Sequence, residues 1–177
     1  MAFELINSES KYQGRVFSVR QDEVRMPDGH PVKLDVVDHR GSVTMVPLDE
    51  SGQVWFIRQY RHPAQQELLE LPAGVMEPEE GALASAAREL REEIGMGARH
   101  LKPLGEFFLA PGYSTEYMHV FLATGLYPAP LAQDEDEIIQ VEKIPAGEAL
   151  RLAKSGQIQD AKTIAALFLA SPLFPDA

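Results

Sequence analysis

The sequence predicts an α+β fold: a mixed β-sheet sandwiched between helices, with a small β-rich lobe at the amino terminus. Three observations carry that expectation. Apolar runs of strand length recur without regular alternation with helices. One segment, 82–94, has clear helical periodicity. Residues 1–40, with their two strand patterns, read as a β-rich lobe ahead of a longer remainder, 41–177. A chain of 177 residues can bury roughly 70% of the surface its unfolded form exposes, enough for a core without staples.

Taken in order, residues 14–26 and 31–38 read as strands joined at Pro27-Asp28-Gly29, where Gly29 is free to take a positive φ. Residues 42–48 and 53–59 form a second apolar pair, interrupted at Asp49-Glu50-Ser51-Gly52. The stretch 61–81 contains Pro63, Pro72, Gly74, Pro78 and Gly81 and reads as loop-rich. In the helix that follows, Leu83, Ala87, Leu90 and Ile94 recur at spacings of four, three and four, one apolar stripe facing a core. Strands are expected near 103–109, 117–124 and 138–143, with a polar stretch to 137 between the last two. Helices fit 146–154 and 161–170, the second with Asp160 as its N-cap and Pro172 beyond its end.

Composition excludes several classes of chemistry. There is no cysteine, so disulfides, thiolate zinc sites and cysteine nucleophiles are ruled out. That suits a cytoplasmic protein. The opening MAFELINSESKYQ lacks the apolar core of a signal peptide, and no apolar run approaches the ~20 residues that span a bilayer. With 27 acidic against 16 basic residues the formal charge is −11, which disfavours nucleic acid as a partner. The five histidines are scattered without ligand spacing, and Ser114 has no evident histidine partner.

The acids cluster. Glu77, Glu79, Glu80, Glu89, Glu92 and Glu93 fall within 77–93, and Asp134-Glu135-Asp136-Glu137 are consecutive. Glu89 and Glu93 are four apart on the helix and Glu92 lies beside them, so three carboxylates share one flank. Such a flank is either a solvated face partly neutralised by Arg88 and Arg91, or a site for a hard cation. Oxygen donors without histidine or cysteine suit Mg²⁺ or Mn²⁺.

The segment GVMEPEEGALASAARELREEIGM resembles the Nudix box, G-x5-E-x7-R-E-U-x-E-E-x-G-U, where U is bulky and aliphatic. Gly74, Glu80, Arg88, Glu89, Leu90, Glu92, Glu93, Gly95 and Met96 match every fixed position. The resemblance implies a Nudix fold and metal-dependent hydrolysis of a diphosphate. It implies Glu89 and Glu93 as principal ligands, Glu92 assisting, and the Ala73 carbonyl as a further ligand. Arg88 would hold Glu80 and Glu92, Gly95 would end the helix, and Gly74 would let the backbone turn close to metal and phosphate.

Outside the box, Pro111 in APGYSTE, fifteen positions after Met96, and the lead-ins RQYRHP and ELPAG resemble the ADP-ribose pyrophosphatase branch. The implied reaction is ADP-ribose plus water giving AMP and ribose 5-phosphate. Arg61, and Arg58 with it, would bind phosphate oxygens. Phe17 and Tyr113 are candidates to stack on adenine, with Pro111 and Gly112 shaping the pocket. Glu135 is the expected base and Glu137 an assisting ligand on a mobile loop; a solvated loop is the bland alternative. Residues 1–40 are expected to form a dimerisation lobe in a homodimer. Rival readings are another nucleotide sugar or dinucleotide as substrate (GDP-mannose, FAD or NADH) and a module that senses ADP-ribose without cutting it.

Overall fold

In the amino-terminal segment, strand β2 (Phe17–Arg25) is the centre of a three-stranded antiparallel sheet between β1 (Glu4–Gln13) and β3 (Pro31–His39). This is a computed structural model, and it describes residues 3–133 and 138–174. The β2–β3 turn follows the sequence reading: Gly29 has φ +95° and donates its N–H to the Met26 carbonyl. β1 departs from it. Its residues ELINSESKYQ are exposed along the whole strand and carry no apolar alternation. Pairing with β2 makes it a strand, helped by Arg25 to Glu4 and Ser8 to Asp22. The expected strand over 14–26 therefore begins only at Phe17, after a turn in which Gly14 donates to the Phe17 carbonyl.

The chain forms two compact units, Met1–Gly41 with Phe107–Tyr117, and Ser42–Glu106 with Met118–Ala177. Within the first, the segment 107–117 lies alongside β3. Val37 donates to the Tyr113 carbonyl, and Thr115 donates back to Val37.

The second unit holds two sheets. One has the order β7-β4-β9-β8, from β7 (Ala73–Val75), β4 (Ser42–Pro47), β9 (Tyr117–Pro128) and β8 (Met96–Phe108). It is mixed: β4 runs parallel to β9 and antiparallel to β7. The other has the order β10-β5-β6, from β10 (Ile139–Pro145), β5 (Gln53–Arg61) and β6 (Gln66–Glu70), all antiparallel. Three helices complete the unit: α1 (Ala82–Glu93), α2 (Ala146–Lys154) and α3 (Ala161–Ala170). Asp160 caps α3 by accepting from the Thr163 N–H, a contact worth ~1 kcal/mol. No helix among the described residues is long and apolar enough to cross a membrane.

Two corrections bear on the site. The stretch 61–81 is not simply loop. A 3-10 turn at His62–Ala64, closed by Gln65 at φ 54°, returns the chain as β6 against β5, and β7 then pairs with β4. The buried stripe of α1 also differs from the periodic one. Ala86, Leu90 and Ile94 pack with Val43, Met45, Ile57, Phe121 and Ala123, whereas Leu83 is 55% exposed and Ala87 is exposed. Ser85, Glu89 and Glu93 are buried in place of Leu83 and Ala87. The helix is turned so that its carboxylate flank faces β4 and β7 rather than water.

Candidate active site

Helix α1 places Glu89 and Glu93 one turn apart on its buried side, 8% and 2% exposed. Strand β7 runs past them. The Ala73 N–H donates to Glu93 Oε2 at 2.8 Å. At Gly74 an added Cβ would stand 1.9 Å from the Glu89 carboxylate. Gly74 has no positive φ, so a turn is not the reason for glycine here. Its missing side chain is the space that the Glu89 carboxylate occupies. Gly95, by contrast, ends the helix at φ +68°.

Arg88 organises the polar side of the helix. Its Nη1 donates to Glu89 Oε1 at 2.8 Å and to Glu92 Oε2 at 2.7 Å. Its Nη2 reaches Glu80 at 3.1 Å and the Val75 carbonyl at 3.3 Å. Burial opposes the Arg88 charge, but the bonds to Glu80 and Glu92 and the charge of Glu89 outweigh it and hold the guanidinium above its ordinary pKa. Glu80 is the reciprocal case. Burial pushes its carboxyl up, and hydrogen bonds from Arg88 and Ser85 bring it below the usual range.

On the β10-β5-β6 sheet, strand parity separates two arginines. Arg61 shares a face with Ile57, which packs on α1, and Arg58 points to the other. Arg61 forms a two-pronged pair with Glu70 at 2.8 Å for each bond. The Glu70 bond is the main reason the Arg61 pKa lies above its ordinary value despite burial, with smaller contributions from Glu93 and Asp160. Arg58 instead forks onto Glu142, in a small recess lined by Leu69, Leu152 and Ile158. The structure does not bring it to the carboxylates. Gln59 lies between the two arginines on the Arg61 face, and its buried Oε1 has no hydrogen-bond partner among the described residues.

The remaining sequence candidates divide between the first unit and residues outside the described ones. Phe17, Pro111, Gly112 and Tyr113 belong to the first unit. There Phe17 and Tyr113 are exposed, and Phe17 packs on Tyr12 with ring centres 6.1 Å apart. Glu135 and Glu137 lie outside the described residues. The chain leading to them is tied to the end of α1: Leu131 donates to the Arg91 carbonyl at 3.0 Å and Gln133 to the Glu93 carbonyl at 3.4 Å. Sequence reasoning missed Glu70, Lys162 and Gln59. The ELPAG and RQYRHP segments contain Glu70 and Gln59, but only the packing of β5, β6 and α3 gives them partners or leaves them without one.

Among the described residues no three acidic or histidine side chains already converge as a ligand set, since Arg88 stands between Glu89 and Glu92. The donors present still fit a hard divalent ion. They are carboxylates and backbone carbonyls, two of the carboxylates are buried, and a cradle that any Cβ would fill lies between β7 and α1.

Residues 38–167 match the model of the NUDIX domain, and residues 3–33 match that of the nucleoside diphosphate sugar hydrolase N-terminal domain. The chain is 40% identical to the ADP-ribose pyrophosphatase of Mycobacterium tuberculosis, across 92% of this chain and 80% of that one. It is 34% identical to the ADP-ribose pyrophosphatase of Bacillus subtilis, across 92% and 89%. Among solved structures, an ADP compounds hydrolase superposes with a TM-score of 0.86 at 26% identity, covering 98% of this chain and 94% of that one. Strand β7 and helix α1 bring the box residues Gly74, Arg88, Glu89 and Glu93 face to face, and the chain belongs to the Nudix family of pyrophosphohydrolases.

Proposed function

We propose that the protein hydrolyses the diphosphate bond of ADP-ribose, giving AMP and ribose 5-phosphate, with Mg²⁺ or Mn²⁺ as its metal. The observation that carries this reading is the buried Glu89–Glu93 pair against β7. Two relatives named for ADP-ribose support the choice of substrate. Nudix hydrolases in general use divalent metal ions. Such an ion, when bound, neutralises diphosphate charge and lowers the pKa of water.

In this reading Glu89, Glu93 and the Ala73 carbonyl hold the metal, with Glu92 and Glu137 assisting. Arg88 keeps Glu80, Glu89 and Glu92 oriented. Arg61 offers the substrate diphosphate the N–H groups that Glu70 leaves unused. Glu135 accepts the proton of the attacking water. Its support is the tethering of residues 129–133 to the end of α1. Phe17 and Tyr113, exposed aromatics, are the candidates to stack on the base, with Pro111 and Gly112 shaping their surroundings. Arg58 has no part in this reading, because alternation along β5 turns it to the face opposite Arg61, where it pairs with Glu142.

The test is product analysis with ADP-ribose and GDP-mannose in Mg²⁺, with and without excess EDTA. AMP and ribose 5-phosphate are expected from ADP-ribose, and EDTA should stop their formation. Cleavage of GDP-mannose without any of ADP-ribose would overturn the substrate. Undiminished turnover in EDTA would overturn the metal. For the base, Glu135→Gln is expected to lower kcat ~10²–10⁴-fold with KM little changed. A fully active Glu135→Gln enzyme would place the base elsewhere.

A further inference from the structure

Glu70 ends β6 with a carboxylate only 1% exposed, and it meets two cations. From one side Arg61 Nε and Nη2 donate to its two oxygens. From the other, Lys162 Nζ in the first turn of α3 bonds Glu70 Oε2. Lys162 also pairs with Asp160 at 2.9 Å. The formal charges cancel: Arg61 and Lys162 contribute two positive charges, Glu70 and Asp160 two negative. The cations differ in access to solvent, since the Lys162 side chain is 12% exposed and that of Arg61 38%. Lys162 is also fixed in place, because the next residue, Thr163, is fully buried and accepts the Leu71 N–H at 2.8 Å.

A buried carboxylate with a single cationic partner holds that partner tightly, because letting it go leaves an uncompensated charge out of water. A second cation behind it removes that constraint. We propose that Lys162 is a positioning residue for hydrolysis: it neutralises Glu70 from the α3 side, leaving Arg61 free to share its guanidinium with the substrate diphosphate. Without Lys162, Glu70 and the incoming phosphate compete for one arginine. This inference rests on the reading of Arg61 as a diphosphate ligand, and the experiment separates the two.

KM and kcat for ADP-ribose are measured at saturating Mg²⁺ for Arg61→Ala, Lys162→Met, the double variant and Lys162→Arg, with thermal melts alongside. Arg61→Ala is expected to raise KM. Lys162→Met is expected to raise KM roughly tenfold with kcat within about twofold, the pattern of a lost uniform binding contact. Lys162→Arg should restore most of that loss. In the Arg61→Ala background Lys162→Met should change KM by less than about twofold, because its effect passes through Arg61. An equal rise in both backgrounds, or a lower melting temperature with KM unchanged, overturns the role of Lys162. If Arg61→Ala itself leaves KM unchanged, the reading of Arg61 fails first and the inference with it. Should Lys162→Met not fold, Lys162→Gln, which keeps a donor to Glu70 but removes the charge, replaces it in the same cycle. A rise in KM only where Arg61 is intact is again expected, and an equal rise with and without Arg61 again overturns the role.

Discussion

Gly74 and Glu93 show how little room single residues have in this site. At Gly74 the constraint is the 1.9 Å that would separate a Cβ from the Glu89 carboxylate. Gly74→Ala is therefore expected to displace Glu89 and to cost ~1–3 kcal/mol of stability through overpacking. Activity should fall most steeply at low Mg²⁺. A thermal melt and a Mg²⁺ titration of activity check this, and an alanine variant with wild-type metal dependence would count against it. Glu93→Gln keeps the shape of a buried side chain and can still accept the Ala73 N–H. It is expected to abolish turnover with the fold intact. Circular dichroism and activity measured on the same sample decide the matter, since loss of fold together with activity would make Glu93 structural.

Between elements, the joint of β6 with α3 makes a pH prediction. Burial works to raise the Glu70 carboxyl, but the bond from Arg61 and the charge of Lys162 outweigh it and hold the pKa below the ordinary glutamate value. A carboxylate depressed in the folded state contributes stability that is fully present above its unfolded pKa. That contribution is lost as pH falls through the folded value. Glu70 should thus add nothing to the pH dependence of stability near neutrality and should steepen the loss of stability below about pH 4.3. Urea unfolding from neutral pH down into the acid range should show a shallower acid slope for Glu70→Gln than for wild type. Identical slopes would mean that the Arg61–Glu70–Lys162 group does not couple folding to protonation.

For the whole molecule, the first unit poses a question of partners. Among the described residues this unit has no helix, and Leu5, Ile6, Tyr12 and Leu34 are exposed on its three-stranded sheet. Strand β1 also forms an edge of that sheet. Edges and apolar faces of this kind are normally covered. We propose that a second copy of the chain covers them, so that residues 1–40 serve as a dimerisation lobe. Light scattering should give twice the chain mass at micromolar concentration, and removal of residues 1–13 should shift it toward the monomer. A monomer mass for the full chain would refute the proposal.

Features that depend on near neighbours were legible in the chain alone. Helices α2 and α3 begin and end where periodicity, the Asp160 cap and the flanking residues place them, and α1 ends within one residue of its expected limit. The turn at Gly29, the helix stop at Gly95 and the grouping of Glu89, Glu92 and Glu93 on one flank follow from torsional freedom and the helical repeat, which a few adjacent residues specify. The rest came from packing. β1, β6 and β7 carry no periodic signal and become strands only because β2, β5 and β4 offer free edges. The buried face of α1 was settled by β4 and β7, which bury Glu89 and Glu93 in place of Leu83 and Ala87. Arg58 and Arg61 read alike as phosphate forks in sequence, yet alternation along β5 sends them to opposite faces. Glu70 and Lys162 stand 92 residues apart and meet only where α3 docks on the end of β6. Such contacts depend on how distant elements pack, and no local spacing along the chain encodes them.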